Sequence, residues 1–107
     1  MDLAAFTASL AGEAPPAGLD GPLRALWWDA KGAWDKAHAA AQENEGEPAH
    51  DWVHAYLHRK EPDPANAAYW YRRAGKAPAT GSLEAEWREI AAALLGRGKM
   101  PGGMTAC

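Results

Sequence analysis

Cysteine is nearly absent from this chain, and so are the residues that build sheets. The single cysteine, Cys107, is the last of 107 residues. One thiol excludes an intrachain disulfide framework and any multi-thiolate metal site within one chain. One phenylalanine and few valines and isoleucines argue against a β-sheet. Long apolar runs are missing too: no stretch approaches the roughly 20 residues that span a bilayer. The opening "MDLAAFTASLAG" has neither the basic start nor the long apolar run of a secretory signal. A reducing, cytoplasmic setting without a membrane partner is therefore expected. Positive charge is not in excess, with 11 basic against 14 acidic residues and a net charge of −3. That balance argues against general nucleic-acid binding, which needs a positive field facing the phosphates.

What the chain does have is alanine and six tryptophans. The length fits one domain with a modest core, and alanine-rich segments favour helices. Six helices are predicted. The first covers about Asp2 to Ala11, with Leu3, Phe6 and Leu10 on one face, and "GEAPPAGLDG" then interrupts it. The second opens at Pro22 and runs to about Lys31, with Leu23, Leu26, Trp27 and Ala30 inward and Trp28 pointing elsewhere. The third covers about Trp34 to Asn44. The fourth covers about Asp51 to Lys60, with Trp52, Val53, Tyr56 and Leu57 on an apolar arc and His54 and His58 beside it. In "EPDP", Asp63 caps and Pro64 opens a fifth helix to Ala74. Its inward line is Ala67, Trp70, Tyr71 and Ala74, and Tyr69, Arg72 and Arg73 face away. After "GKAPATG", Ser82 caps a sixth helix with Leu83, Trp87, Ile90, Ala91 and Leu94 in one stripe. The fold class expected is all-α, one helical domain over 1–95. Residues 96–107, "GRGKMPGGMTAC", read as a flexible tail.

The stretch from Trp52 to Gly75, above all "DPANAAYWYRRAG", resembles a tetratricopeptide or Sel1-like repeat unit. Those families place small residues where paired helices approach, an aromatic one turn later, and an alanine beyond it. Ala55, Ala67, Tyr71 and Ala74 stand at the matching positions, and "WYRRAG" is similar to the ending of Sel1-like units. The preceding pair of helices fits more loosely, with Ala41 where an aromatic is usual. The remainder of the chain resembles small helical bacterial proteins. The resemblance implies a right-handed array of antiparallel helical hairpins with flanking capping helices, acting as a protein-binding scaffold.

Two surfaces are candidates for function. Arg59, Lys60, Arg72, Arg73 and Lys76 gather basic charge near Tyr69 and Trp70, suited to a carboxylate-rich peptide, a C-terminus or a nucleotide-like anion. Arginine beside an exposed aromatic is a common interface composition. With the partly exposed Trp28, the expected partner-binding set is Trp28, Arg59, Tyr69, Trp70, Arg72 and Arg73. The partner would be a protein, a peptide or a second copy of the chain. The alternative is a small metal-binding protein or enzyme built on a histidine-rich helix edge. His54 and His58 are spaced to share a metal ion if His38, Asp35 or Glu61 supplies a third ligand. The intervening "HAYLH" lacks the glutamate of a metalloprotease helix. No nucleophile–base pair or phosphate-cradling loop stands out, so neither a cofactor nor a catalytic residue is expected.

Overall fold

The structure, a computed structural model, describes residues 1–97. Six α-helices follow one another: α1 (Leu3–Ala8), α2 (Gly21–Ala30), α3 (Trp34–Ala41), α4 (Pro48–Lys60), α5 (Pro64–Ala74) and α6 (Leu83–Arg97). Short 3₁₀ turns, Ser9–Ala11 and Gln42–Asn44, extend α1 and α3. No strand occurs among the described residues, so the fold is all-α.

Side-chain caps explain most of the helix starts. Asp2, Asp20, Asp63 and Ser82 accept bonds from Ala5, Leu23, Asn66 and Ala85 amides at 2.8–3.2 Å. Each satisfies an amide that has no partner inside its helix. Asp63→Ala is expected to lower stability by about 1 kcal/mol in a urea titration, the usual loss when a capping carboxylate is removed. The stops are equally local. Gly75 closes α5 at φ 73°, where a side chain would be strained, and the Lys76 amide turns back to the Tyr71 carbonyl at 3.0 Å.

The helices pack mainly as two pairs, α2 with α3 and α4 with α5, and α4 also touches α2, α3 and α6. Phe6, Leu26, Trp27, Val53, Leu57 and Ile90 are fully enclosed between these elements. Trp27 of α2 is wholly enclosed, and its Nε1 donates to Ser9 Oγ, in the turn that follows α1, at 3.1 Å. The Trp87 indole, stacked on Phe6, donates to the Leu26 carbonyl at 3.0 Å. A smaller cluster of Ala55, Ala67, Trp70 and Tyr71 joins α4 to α5. The small residues there let the two helices approach closely.

Three carboxylates lie inside the protein, each with partners. Asp29 accepts from Tyr56 Oη and Lys60 Nζ, both at 2.8 Å. Glu86 accepts from Tyr71 Oη and from Arg59 Nη1. Asp51 accepts from the Gly46 amide at 3.0 Å and has Arg73 Nε 3.8 Å away. Burial and these acceptors push the Tyr56 and Tyr71 phenols far above their ordinary value, so both remain donors at any physiological pH.

Two boundaries differ from those expected. Helix α4 begins at Pro48, three residues before Asp51, because Glu47 accepts from the Ala49 and His50 amides and proline suits the first turn. At the other end α6 continues through Gly96 and Arg97, so the helix extends into the segment expected to be tail. The rest of that segment, 98–107, lies outside the described residues, with Cys107 in it.

Candidate binding face and histidine cluster

Helix α4 is polar in sequence for so central an element, and its position explains where its histidines go. Covered by α3, α5 and α6, it buries His54 (2% exposed) and His58 (6% exposed) along with its apolar residues. The two imidazoles, one turn apart, stack at an interplanar angle of 30° with centroids 4.8 Å apart. His38 reaches them from α3, its Nε2 3.0 Å from His54 Nε2. Trp34 holds His38 in place: it stacks on that ring at 4.6 Å and donates from Nε1 to the Leu57 carbonyl at 3.2 Å. Trp70 of α5 covers His54 from the other side at 4.0 Å. His58 Nδ1 meets Glu61 Oε1 at 2.8 Å, and Asn66 Nδ2 lies 3.4 Å from His58 Nε2.

Burial in this seam disfavours the charged form of His54 and of His38. Burial, reinforced by His38 and His58, pushes His54 down to about 3. Burial and His58 also lower His38, against the opposing pull of Glu61, Glu45 and Asp35. His54 Nδ1 is buried and has no hydrogen-bond partner. Asp35 is exposed in the first turn of α3 and does not join the cluster. His50 turns away to pair with Glu47 and lies against Gly21 at the start of α2.

The expected partner-binding residues do not form one patch. Tyr69 is 43% exposed on the outer face of α5, with exposed Arg72 and Arg73 beside it. The Arg73 guanidinium carbon lies 5.7 Å from the Tyr69 ring centre and 5.1 Å from that of Trp70, and Nη1 donates to Tyr69 Oη at 3.0 Å. Trp70 itself is 8% exposed, because its ring is committed to His54. Arg59 is tied to Glu86 at 2.9 Å and to the Gly81 carbonyl. Trp28, half-buried on α2, packs edge-on to Trp27 under Lys36 Nζ at 4.3 Å.

Sequence reasoning assigned Trp52 to the core, yet it is only partly buried, with Lys76 Nζ 4.2 Å above its ring. Glu86, near the start of α6, is buried, which sequence reasoning did not anticipate. A signal existed: Glu86 lies three residues after Leu83 and four before Ile90, on the apolar stripe itself. A separate cleft of about 350 Å³ opens beside the Asp29–Tyr56–Lys60 group and is bordered by Leu10, Trp87 and Arg88. No helix among the described residues is long and apolar enough to cross a membrane. No protein-family model, curated protein or solved structure matches the chain.

Proposed function

We propose that this protein is a non-catalytic interaction module that binds an acidic peptide segment of a partner protein along the outer face of α5. The observation that carries this reading is the exposed Tyr69 ring, held under the Arg73 guanidinium and flanked by Arg72. With Nη1 given to Tyr69 Oη and Nε facing Asp51, Nη2 of Arg73 is the donor offered to a carboxylate, and the aromatic ring adds apolar contact. These two contacts, at 3.0 Å to Tyr69 and 3.8 Å to Asp51, favour this orientation of Arg73 and reduce the ordering cost of binding. Lys76 over Trp52 presents a second pairing of cation and ring. In a symmetric pairing of this face with its own copy, Arg72 and Arg73 would confront the same charges. A foreign acidic partner therefore suits the face better than self-association.

We also propose that the α4–α5 hairpin is a unit of the tetratricopeptide or Sel1-like kind. On this reading, α2–α3 is the preceding unit of a right-handed array, with α1 and α6 as caps. Support comes from the buried Ala55, Ala67, Tyr71 and Ala74 between α4 and α5, and from the contacts of α4 with both α2 and α3.

The test is a titration of the full chain with an array of Asp/Glu-rich peptides containing aromatic positions. Binding is expected to weaken at least about tenfold in Tyr69→Ala/Arg73→Ala, consistent with loss of an aromatic–arginine anchor. It should also weaken with added salt. Affinity unchanged in that variant, with its circular dichroism intact, would move the binding face elsewhere.

A further inference from the structure

The geometry points to a site for one divalent transition-metal ion, zinc in the first instance, held by His38 of α3 and His54 and His58 of α4. One ring nitrogen from each histidine lies within 4.8 Å of the other two. Nitrogens bound tetrahedrally to zinc at about 2.0–2.1 Å are about 3.3 Å apart. The His38 and His54 Nε2 atoms, at 3.0 Å, already have nearly that spacing. Their contact in the metal-free chain uses one proton and one lone pair. An ion between them would instead take the lone pairs of both.

The surroundings suit a cation of borderline softness. His54 illustrates why a hydrogen-bonded seam is an incomplete account of these rings. If its Nε2 accepts from His38, then Nδ1 carries a buried proton with no acceptor. If Nε2 donates, then Nδ1 is a buried lone pair with no donor. Neither tautomer satisfies both nitrogens, so the metal-free arrangement gains less than a fully paired network would. His58 is oriented from outside: Glu61 engages Nδ1 at 2.8 Å. When Nδ1 carries the proton, Nε2 is the lone-pair nitrogen, which the ion would take in place of the 3.4 Å contact from Asn66 Nδ2. A carboxylate behind a ligating histidine fixes its tautomer and raises its basicity.

Glu61, Glu45 and Asp35 all act on His38 with negative charge, which favours an incoming cation. The donor set is three neutral imidazoles with no thiolate. Such a set selects zinc, copper or nickel over calcium and magnesium, which prefer oxygen ligands. The Trp34 and Trp70 rings hold two of the three imidazoles face to face, which limits their rotation. The half-buried His38 gives the ion a route in from solvent. The site uses none of Tyr69, Arg72 or Arg73, so it stands apart from the peptide-binding reading.

The test uses tag-free full-length chain, stripped with a chelator and titrated with Zn²⁺ by calorimetry and with Co²⁺ by visible absorption. One ion per chain is expected, with the intense ligand-field bands of tetrahedral cobalt and a rise in melting temperature on adding Zn²⁺. His38→Ala and His58→Ala should each weaken binding by tenfold or more, whereas His50→Ala should leave it unchanged. Because His58 is buried, its variant is read only if its circular dichroism is native; the half-buried His38 carries the test otherwise. No stoichiometric binding would overturn the site. So would equal losses in the His38 and His50 variants, or the weak bands of octahedral cobalt, which mark adventitious surface binding.

Discussion

Trp27→Ala is expected to lower the unfolding free energy by about 3–5 kcal/mol, the range for removing a large buried aromatic. A domain of this size holds roughly 5–15 kcal/mol in total, so the variant should lie close to the edge of folding. Trp27 is wholly enclosed in the main core, and its loss opens a void there. It also strips Ser9 Oγ of its indole donor. Guanidinium titration of both proteins checks the value, with a melting temperature lower by at least about 12 °C as the thermal counterpart. Trp27→Phe should lose less, because a ring still fills most of the space. A loss under about 1.5 kcal/mol for the alanine variant would mean that the surrounding helices close over the gap and that the core there is not rigid.

Acidification of chelator-treated protein should destabilise it well before its carboxylates titrate. An unfolded histidine titrates near 6.5, while the folded His54 is held down to about 3. Between these values the unfolded chain binds a proton that the folded chain refuses. Stability contributed by the neutral imidazole is therefore complete above about pH 6.5 and falls as pH drops toward 3. The slope is at most about 1.4 kcal/mol per pH unit for one group, or about 2 kcal/mol between pH 6.5 and 5. His38 is lowered as well and adds in the same direction. The charges that oppose the shift, Glu61, Glu45 and Asp35, act on His38. His54 itself faces His38, His58 and the Trp70 ring. Urea titrations at pH 7, 6 and 5 measure the slope, and His54→Asn should flatten it. Undiminished stability at pH 5 would mean that water reaches the seam and shares the proton.

The parts of the fold legible in the sequence were those governed by local chemistry. "DPAN" announced α5 to the residue, since a capping carboxylate followed by proline satisfies the first turn almost independently of what packs on it. The apolar stripe of α6 likewise matches its buried face at Trp87, Ile90, Ala91 and Leu94. The start of α4 at Pro48 was set too late because proline marks a stop and a start with the same letter, and a glutamate cap is a weak signal. His54 and His58 were placed at a helix edge because periodicity separates an apolar arc from its complement. It does not register how many neighbours surround the helix. Once α3 and α5 close over α4, the adjoining side is interior too, and polar residues there must find one another or a ligand. Asp35 shares α3 with His38 but sits one turn nearer the solvent-facing start, a difference that spacing alone leaves open.

The pairing of neighbouring helices also bears on the order in which the protein assembles. The α2–α3 and α4–α5 contacts join segments close in the chain, whose loops close at small entropic cost. The indole bond from Trp34 to Leu57 spans 23 residues, and that from Trp87 to Leu26 spans 61. On a ribosome both hairpins are complete before α6 emerges. Until α6 arrives, the faces that receive Trp87 and Ile90 are open to water. Among the described residues α6 comes last in chain order, so the greasy side it covers is the part of the core that waits longest for its cover during synthesis.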